Sequence, residues 1–198
     1  MNRLSFADIT YHPGAERWFT DEQGQACLIR PLRPQDGPAL TALLTGLSQT
    51  SRKQFGPHPL DDATAHALCA NLDPRASLHL VMVAPDGHFL AYLVLRMTLA
   101  DYELERFLRY SLDLDEVPAA SLAPVVAEGH QSRGYGKRML RYGVDLCRAL
   151  GHQAIILMGG VQMQNQRAVR FYLGAGFRRL GGFEYPAGQR NDDMIRWL

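Results

Sequence analysis

The chain has 198 residues, 46% hydrophobic and 21% charged, with 21 Lys and Arg against 20 Asp and Glu for a net charge of +1. The apolar share excludes a disordered chain, and the charge balance excludes the overall basic excess common in nucleic-acid binders. A chain of this length buries about 70% of its unfolded surface and needs no disulfide or metal to hold a core.

Cys27, Cys69 and Cys147 are odd in number and far apart. No disulfide framework is expected, and a reducing compartment is. The opening MNRLSFADIT lacks the apolar stretch of a signal peptide. The longest apolar run, Phe89–Leu95, falls far short of the roughly 20 residues that cross a bilayer. The expectation is a cytoplasmic domain with neither a membrane nor a nucleic acid as partner.

Along the chain, residues 1–24 have weak periodicity and read as an N-terminal extension, with one domain over 25–198. Arg17–Thr20 and Gln25–Arg30 flank Asp21-Glu22-Gln23-Gly24, a hairpin turn. The spacing of Leu40, Leu43, Leu44 and Leu47 predicts a helix over 34–47. Gly56, Pro57 and Pro59 predict a loop over 48–60. Asp61 or Asp62 caps a second helix reaching about Leu72. Leu78–Ala84 and Phe89–Met97 form a hairpin around Pro85–His88, and a short helix holds Leu104, Phe107 and Leu108. From there the order is a strand Leu122–Ala127, a helix Gly134–Leu150, a strand Ala154–Met158 and a helix Asn165–Leu173 with Asn165 as its cap. A final hairpin pairs Phe177–Tyr185 with Arg190–Trp197. The pattern is one α/β domain.

Residues 125–137, VVAEGHQSRGYGK, run from a strand through a glycine-containing loop into a basic helix. Free amides at a helix start, the macrodipole and close backbone approach at glycine make such a turn an anion site. Two nucleotide fingerprints fail on spacing: Tyr135 stands where a Walker A loop needs Lys, and Met139 where a dinucleotide loop needs its third Gly. What fits is Gln-x-x-Gly-x-Gly, as Gln131-Ser132-Arg133-Gly134-Tyr135-Gly136. Downstream, Asn165, Ala168, Tyr172, Gly176 and Phe177 form a second pattern, Asn-x-x-Ala-x-x-x-Tyr-x-x-x-Gly-Phe.

Together these motifs resemble the GNAT N-acetyltransferase superfamily. The resemblance is specific over 121–177 and topological over the rest of 25–198. It implies a mixed, mostly antiparallel central sheet flanked by helices and splayed between its fourth and fifth core strands, with acetyl-CoA as co-substrate in the gap. On that resemblance Val125, Val126 and Ala127 contact the pantetheine and thioester. Gln131, Ser132, Arg133, Gly134, Tyr135, Gly136 and Lys137 wrap the pyrophosphate, and Asn165 either contacts the cofactor or caps its helix. Tyr172 either protonates the departing thiolate or packs in the core. Pro124 fits a splayed strand or marks a strand's first residue.

The implied activity is acetyl transfer from acetyl-CoA to a primary amine, small or peptidic, by direct attack. A non-catalytic acyl-CoA-binding regulatory module and a nucleotide-binding protein are the rival readings. A homodimer is left open. One branch of the family places a Glu ten residues before the loop's Gln, where this chain has Ser121. The general base is therefore unassigned, with Glu128, Asp113, Asp115 and Glu116 as candidates. Residues 98–116 carry six acids and two bases, a local charge that either attracts a cationic amine or is a solvated loop. His58 lies either at an acceptor site or in a surface turn, Cys147 is packing, and Gly159 and Gly160 form a bulge or end a strand. The seven histidines show no HxxxH or HExxH spacing, so no metal is expected.

Overall fold

A computed structural model of the chain describes Ile9 and residues 13–198; the part of the expected N-terminal extension over 1–8 and 10–12 lies outside the described residues. The elements in order are β1 (Arg17–Thr20), β2 (Ala26–Pro31), α1 (Gly37–Thr45), α2 (Gln49–Gln54), α3 (Asp62–Ala70), β3 (Ser77–Val83), β4 (Phe89–Arg96) and α4 (Asp101–Leu108). Then come β5 (Ala119–Val126), α5 (Tyr135–Ala149), β6 (Ala154–Leu157), β7 (Val161–Gln162), α6 (Gln166–Gly174), β8 (Arg178–Glu184) and β9 (Arg190–Trp197). The strands form one sheet in the order β1-β2-β3-β4-β5-β6-β9-β7, with β8 also paired to β9. Every pairing is antiparallel except β5 with β6. This is the mixed, mostly antiparallel α/β architecture expected, and the one parallel pair is where its consequences lie.

Helices cover both faces, which is why β3 and β4 read as nearly unbroken apolar runs. Side chains alternate between the two layers. Leu93 and Leu95 of β4 pack with Met139, Leu140 and Val144 of α5. Their neighbours Tyr92 and Val94 pack with Leu40, Leu44 and Ala65 of α1 and α3. A third cluster, Phe107 with Ala119, Ile156 and Ile195, seats α4 over the far half of β5 and β6.

The segment expected as a loop over 48–60 contains α2, six polar residues with no buried member. Ser48 caps it by accepting the Ser51 amide at 3.2 Å. A helix with no apolar face leaves no periodicity to detect. β5 begins at Ala119, three residues before the expected Leu122, so Pro124 is interior to it. The short β7, which the sequence did not announce, pairs with β9 at Val161 and Gln162.

One buried ion pair ties sheet to helix layer. Arg30 of β2 and Asp36, the residue before α1, are 7% and 6% exposed. The guanidinium donates to both carboxylate oxygens at 2.6 and 2.9 Å, and Asp36 also accepts the Arg33 amide at 2.8 Å. Removing one partner of such a pair strands the other charge in the interior. Asp36→Ala is expected to lower unfolding free energy by about 3–5 kcal/mol, read as a fall in the urea midpoint with an unchanged slope.

Candidate active site

β5 and β6 pair only from Ala119–Leu122 against Ala154–Leu157. The last bond runs from the Met158 amide to the Leu122 carbonyl, at 2.9 Å. There the chain leaves β5: Gly159 and Gly160 both have positive φ, 70° and 71°. A Cβ on Gly160 would stand 2.8 Å from the Asp192 carbonyl oxygen and 2.8 Å from the Phe183 ring, so the turn is closed to any larger residue. Beyond Leu122, β5 runs on for Ala123, Pro124, Val125 and Val126 with no strand on that edge among the described residues.

Backbone groups of successive strand residues point to opposite edges. Leu122 faces β6, and the Ala127 amide donates to Leu90 on the β4 side at 2.9 Å. Counting between these two, Pro124 and Val126 face the gap while Ala123 and Val125 face β4. Pro124 therefore lacks a donor where there is no acceptor, which reconciles a proline with an interior position. The Val126 amide is the gap-facing donor of this stretch. Of the three residues expected at the pantetheine, Val125 and Val126 line the cleft and Ala127 is not among its lining residues.

The gap opens into a cleft of about 1460 Å³. At one end is the glycine-containing loop. Ser132 and Gly134 have positive φ, 65° and 78°, so the chain coils before α5 starts. The first bond of α5 is the Arg138 amide to the Gly134 carbonyl, at 3.1 Å. The amides of Tyr135, Gly136 and Lys137 therefore have no intrahelical acceptor. Gln131, Ser132, Gly134, Gly136 and Lys137 line the cleft. Arg133 and Tyr135 do not: the Tyr135 hydroxyl donates to Asp21 at 2.8 Å, with its ring buried. That bond and two amide bonds from Gln23 and Gln25 hold Asp21 below the usual carboxylate range, the Gln25 bond most strongly. The β1–β2 turn is thus fastened to the first turn of α5.

Side chains bridge the loop mouth. Gln131 accepts from Arg167 of α6 at 2.9 Å and donates to the Ser51 hydroxyl of α2 at 3.2 Å. Glu128 accepts the Ser48 amide at 3.0 Å and the Ser51 hydroxyl at 2.9 Å, and these bonds keep its carboxyl below its ordinary pKa. Glu128, a candidate base, is engaged in holding α2 against the loop. Ser51 and Arg167 had no individual signal in the sequence; only the distant pairing of elements gives them this work.

Tyr172 of α6 lines the cleft, half-buried, edge-on to Phe171 and Phe177 with ring centroids 5.1 and 5.5 Å away. Its hydroxyl makes no hydrogen bond among the described residues, and burial pushes its pKa well above 10. Asn165 also lines the cleft and caps α6, its side-chain oxygen accepting the Ala168 amide at 3.1 Å. Both readings of Asn165 are compatible, because the cap uses only the oxygen.

The opposite end of the cleft is built by α4, β4 and β9. Arg106 is 8% exposed and donates through Nε to both oxygens of Asp193, at 2.9 and 2.8 Å. Its guanidinium stacks 4.2 Å over the Phe183 ring. Desolvation raises the Asp193 carboxyl above its ordinary pKa despite this partner. Arg96 pairs with the fully buried Glu103 at 3.3 Å and reaches Met158 Sδ at 3.6 Å, beside the point where the strands part. Of the acids over 98–116, only Glu105 lines the cleft, so the stretch does not present an acidic wall to it. Asp113, Asp115 and Glu116 are not at the cleft surface. Arg106 and Asp193 lie 87 residues apart in the chain, and no local pattern joins them.

Ser121 is fully buried, and its hydroxyl has no partner among the described residues. His58 approaches the Tyr92 hydroxyl at 3.1 Å, behind the Phe55–Pro57 segment that lines the cleft. Cys147 is buried, and burial drives its thiol up to about 12. Among the described residues no group of three or more His, Cys, Asp or Glu could hold a metal ion, and no helix is long and apolar enough to cross a membrane.

The family model of the Acetyltransferase (GNAT) family matches residues 42–177. Among solved structures, the GNAT domain of S. lividans PAT superposes with TM-score 0.72 at 17% identity, covering 95% of this chain and 99% of that one. RimJ of Mycobacterium smegmatis, solved with CoA-disulfide, gives 0.68 at 18% identity over 92% of this chain and 86% of that one. Spermidine N-acetyltransferase of Vibrio cholerae, solved with CoA and spermine, gives 0.64 at 16% identity over 86% and 95%. No curated protein sequence matches the chain.

The assignment of strand edges is testable without a ligand. Pro124→Ala is expected to change stability by no more than about 1 kcal/mol, since no ladder bond depends on it. Val125→Pro removes a donor facing β4 and is expected to cost about 1–3 kcal/mol more, as an unmet carbonyl remains in the sheet. Chemical denaturation of the two variants checks the difference.

Proposed function

The chain belongs to the GNAT acetyltransferase family, and from that premise we propose that it transfers an acetyl group from acetyl-CoA to a primary amine by direct attack. The observation that carries this reading is the parting of β5 from β6 beside a helix-start anion site, with Tyr172 facing the gap. An acyl-CoA fits these residues. An extended pantetheine would pair with the free edge of β5 as an added strand does, through the Val126 amide. The loop amides from Gln131 to Lys137 would receive the pyrophosphate, with Lys137 and Arg167 adding charge.

The chemistry assigned to the chain is modest. In this reading the group paired to the Val126 amide would be the thioester carbonyl itself, and that amide would stabilise the negative charge building on its oxygen. The amine nitrogen bonds to the carbonyl carbon, the C–S bond breaks, and the Tyr172 hydroxyl gives its proton to the departing sulfur. The proton released by the amine restores the phenol through solvent. A phenol with its pKa raised by burial is fully protonated at neutral pH, as a donor must be. The cap role of Asn165 fixes the start of α6, and thereby the position of Tyr172 two turns on.

Calorimetric titration with acetyl-CoA and kinetics of CoA release over an amine panel test the reading. Tyr172→Phe is expected to lower kcat about 10²- to 10⁴-fold while leaving acetyl-CoA affinity close to that of the unaltered protein. Ionisation of Tyr172 removes the donor only above its raised pKa, so its contribution to kcat persists beyond pH 10 and is lost at higher pH. An unchanged kcat in the Phe variant across pH takes Tyr172 out of the reaction, and absence of acetyl-CoA binding overturns the function.

A further inference from the structure

Seven basic side chains line the cleft against two acids, Glu105 and Glu184. Their placement matters more than their number. Lys137 and Arg167 stand by the loop, where the phosphates of a CoA would neutralise them. Arg96, Arg106 and Arg109 stand at the other end, past the point where β5 and β6 separate. Two of these three have buried carboxylate partners, Glu103 and Asp193. Arg109, one turn along α4 from Arg106, has no ion-pair partner among the described residues and is exposed at the mouth.

Arg106 is the unusual member. It is nine-tenths buried, yet it bonds Asp193 through Nε alone. Its Nη2 is buried with no hydrogen-bond partner, and no partner for Nη1 is present among the described residues. The guanidinium is held in place by the Asp193 carboxylate on one edge and the Phe183 ring on one face. Tyr110 buttresses the same carboxylate through a hydroxyl bond of 3.1 Å. An immobilised guanidinium in a cleft wall, with Nη1 unpaired among the described residues, offers a charge-assisted donor to an oxygen of a ligand carboxylate. The same wall repels a polycation.

Building on the acetyltransferase reading, we infer that the acceptor is an amine that also carries a carboxylate, as an amino acid does, with the carboxylate bound by Arg106 and drawn in by Arg96 and Arg109. The amine of such a molecule then points from α4 toward Met158 and the end of the β5 gap. This reverses the charge that the acidic sequence over 98–116 suggests, because the structure turns that segment's arginines inward.

The test compares matched acceptors on the unaltered protein: α- and ω-amino acids, each beside its carboxamide, with spermidine as the cationic control. The carboxylate form is expected to exceed its amide in kcat/KM by about 10- to 100-fold, even though an α-amino amide loses its ammonium proton more readily. In Arg106→Met that ratio is expected to fall to near one, and a ratio within one preparation is insensitive to the fraction of folded protein. Amides or spermidine acetylated as well as the carboxylates overturn this inference and leave acetyl transfer standing. Acetyl-CoA binding with no turnover of any carboxylate-bearing amine also overturns it. Failure to bind acetyl-CoA at all overturns the underlying reading instead.

Discussion

A nine-stranded sheet with one parallel pair among the described residues opens where that pair ends. After the bond between Met158 and Leu122, the two positive-φ glycines take the chain toward β7 and away from β5. Everything about the cleft follows from this. β5 keeps a free edge, α6 lies where a strand would otherwise be, and the loop after β5 faces open space. The packing of Phe183 and the Asp192 carbonyl against Gly160 makes the turn a fixed part of the fold. A strand edge exposed for four residues would ordinarily invite aggregation. Here it lies inside a cleft, with Pro124 removing one of its donors.

The interior is organised to hold this opening rigid. α5 lies across the sheet on one side and carries the loop at its start, and the Asp21–Tyr135 bond pins that start to the β1–β2 hairpin. On the other face α1 and α3 pack over β3 and β4, and the Arg30–Asp36 pair locks the first helix to the sheet. α4 covers the remaining half and supplies Arg106, with Arg109 just past its end and Arg96 coming from β4. Each wall of the cleft is thus an edge of a separate packed layer.

What was legible in the sequence was whatever depends on local spacing. The apolar periods of β3, β4 and α5 and the two glycine-bearing motifs announced themselves, as did the Asn165 cap, because each is written within about a dozen residues. α2 was silent, since a polar helix held by a Ser48 cap and by partners on the loop has no periodicity of its own. The Arg106–Asp193 pair was silent for another reason: its members come from α4 and β9, and only the folded sheet brings them together. The charge of residues 98–116 shows the limit of composition. A sum over a segment does not record that Glu103 is turned to Arg96 and that only one of its acids, Glu105, reaches the cleft, beside Arg106 and Arg109.

The bridge through Gln131 has a kinetic meaning. One amide side chain touches α6 on one side and α2 on the other, and α2 continues into the Phe55–Pro57 wall of the same cleft. A ligand that displaces or tightens Gln131 would therefore act on a surface it never touches. Binding free energies at the two ends of the cleft would then be coupled, and the coupling would be the same whichever ligand arrives first. A donor whose phosphates lend order to α2 would raise the acceptor's affinity, and the acceptor would raise the donor's by the same factor.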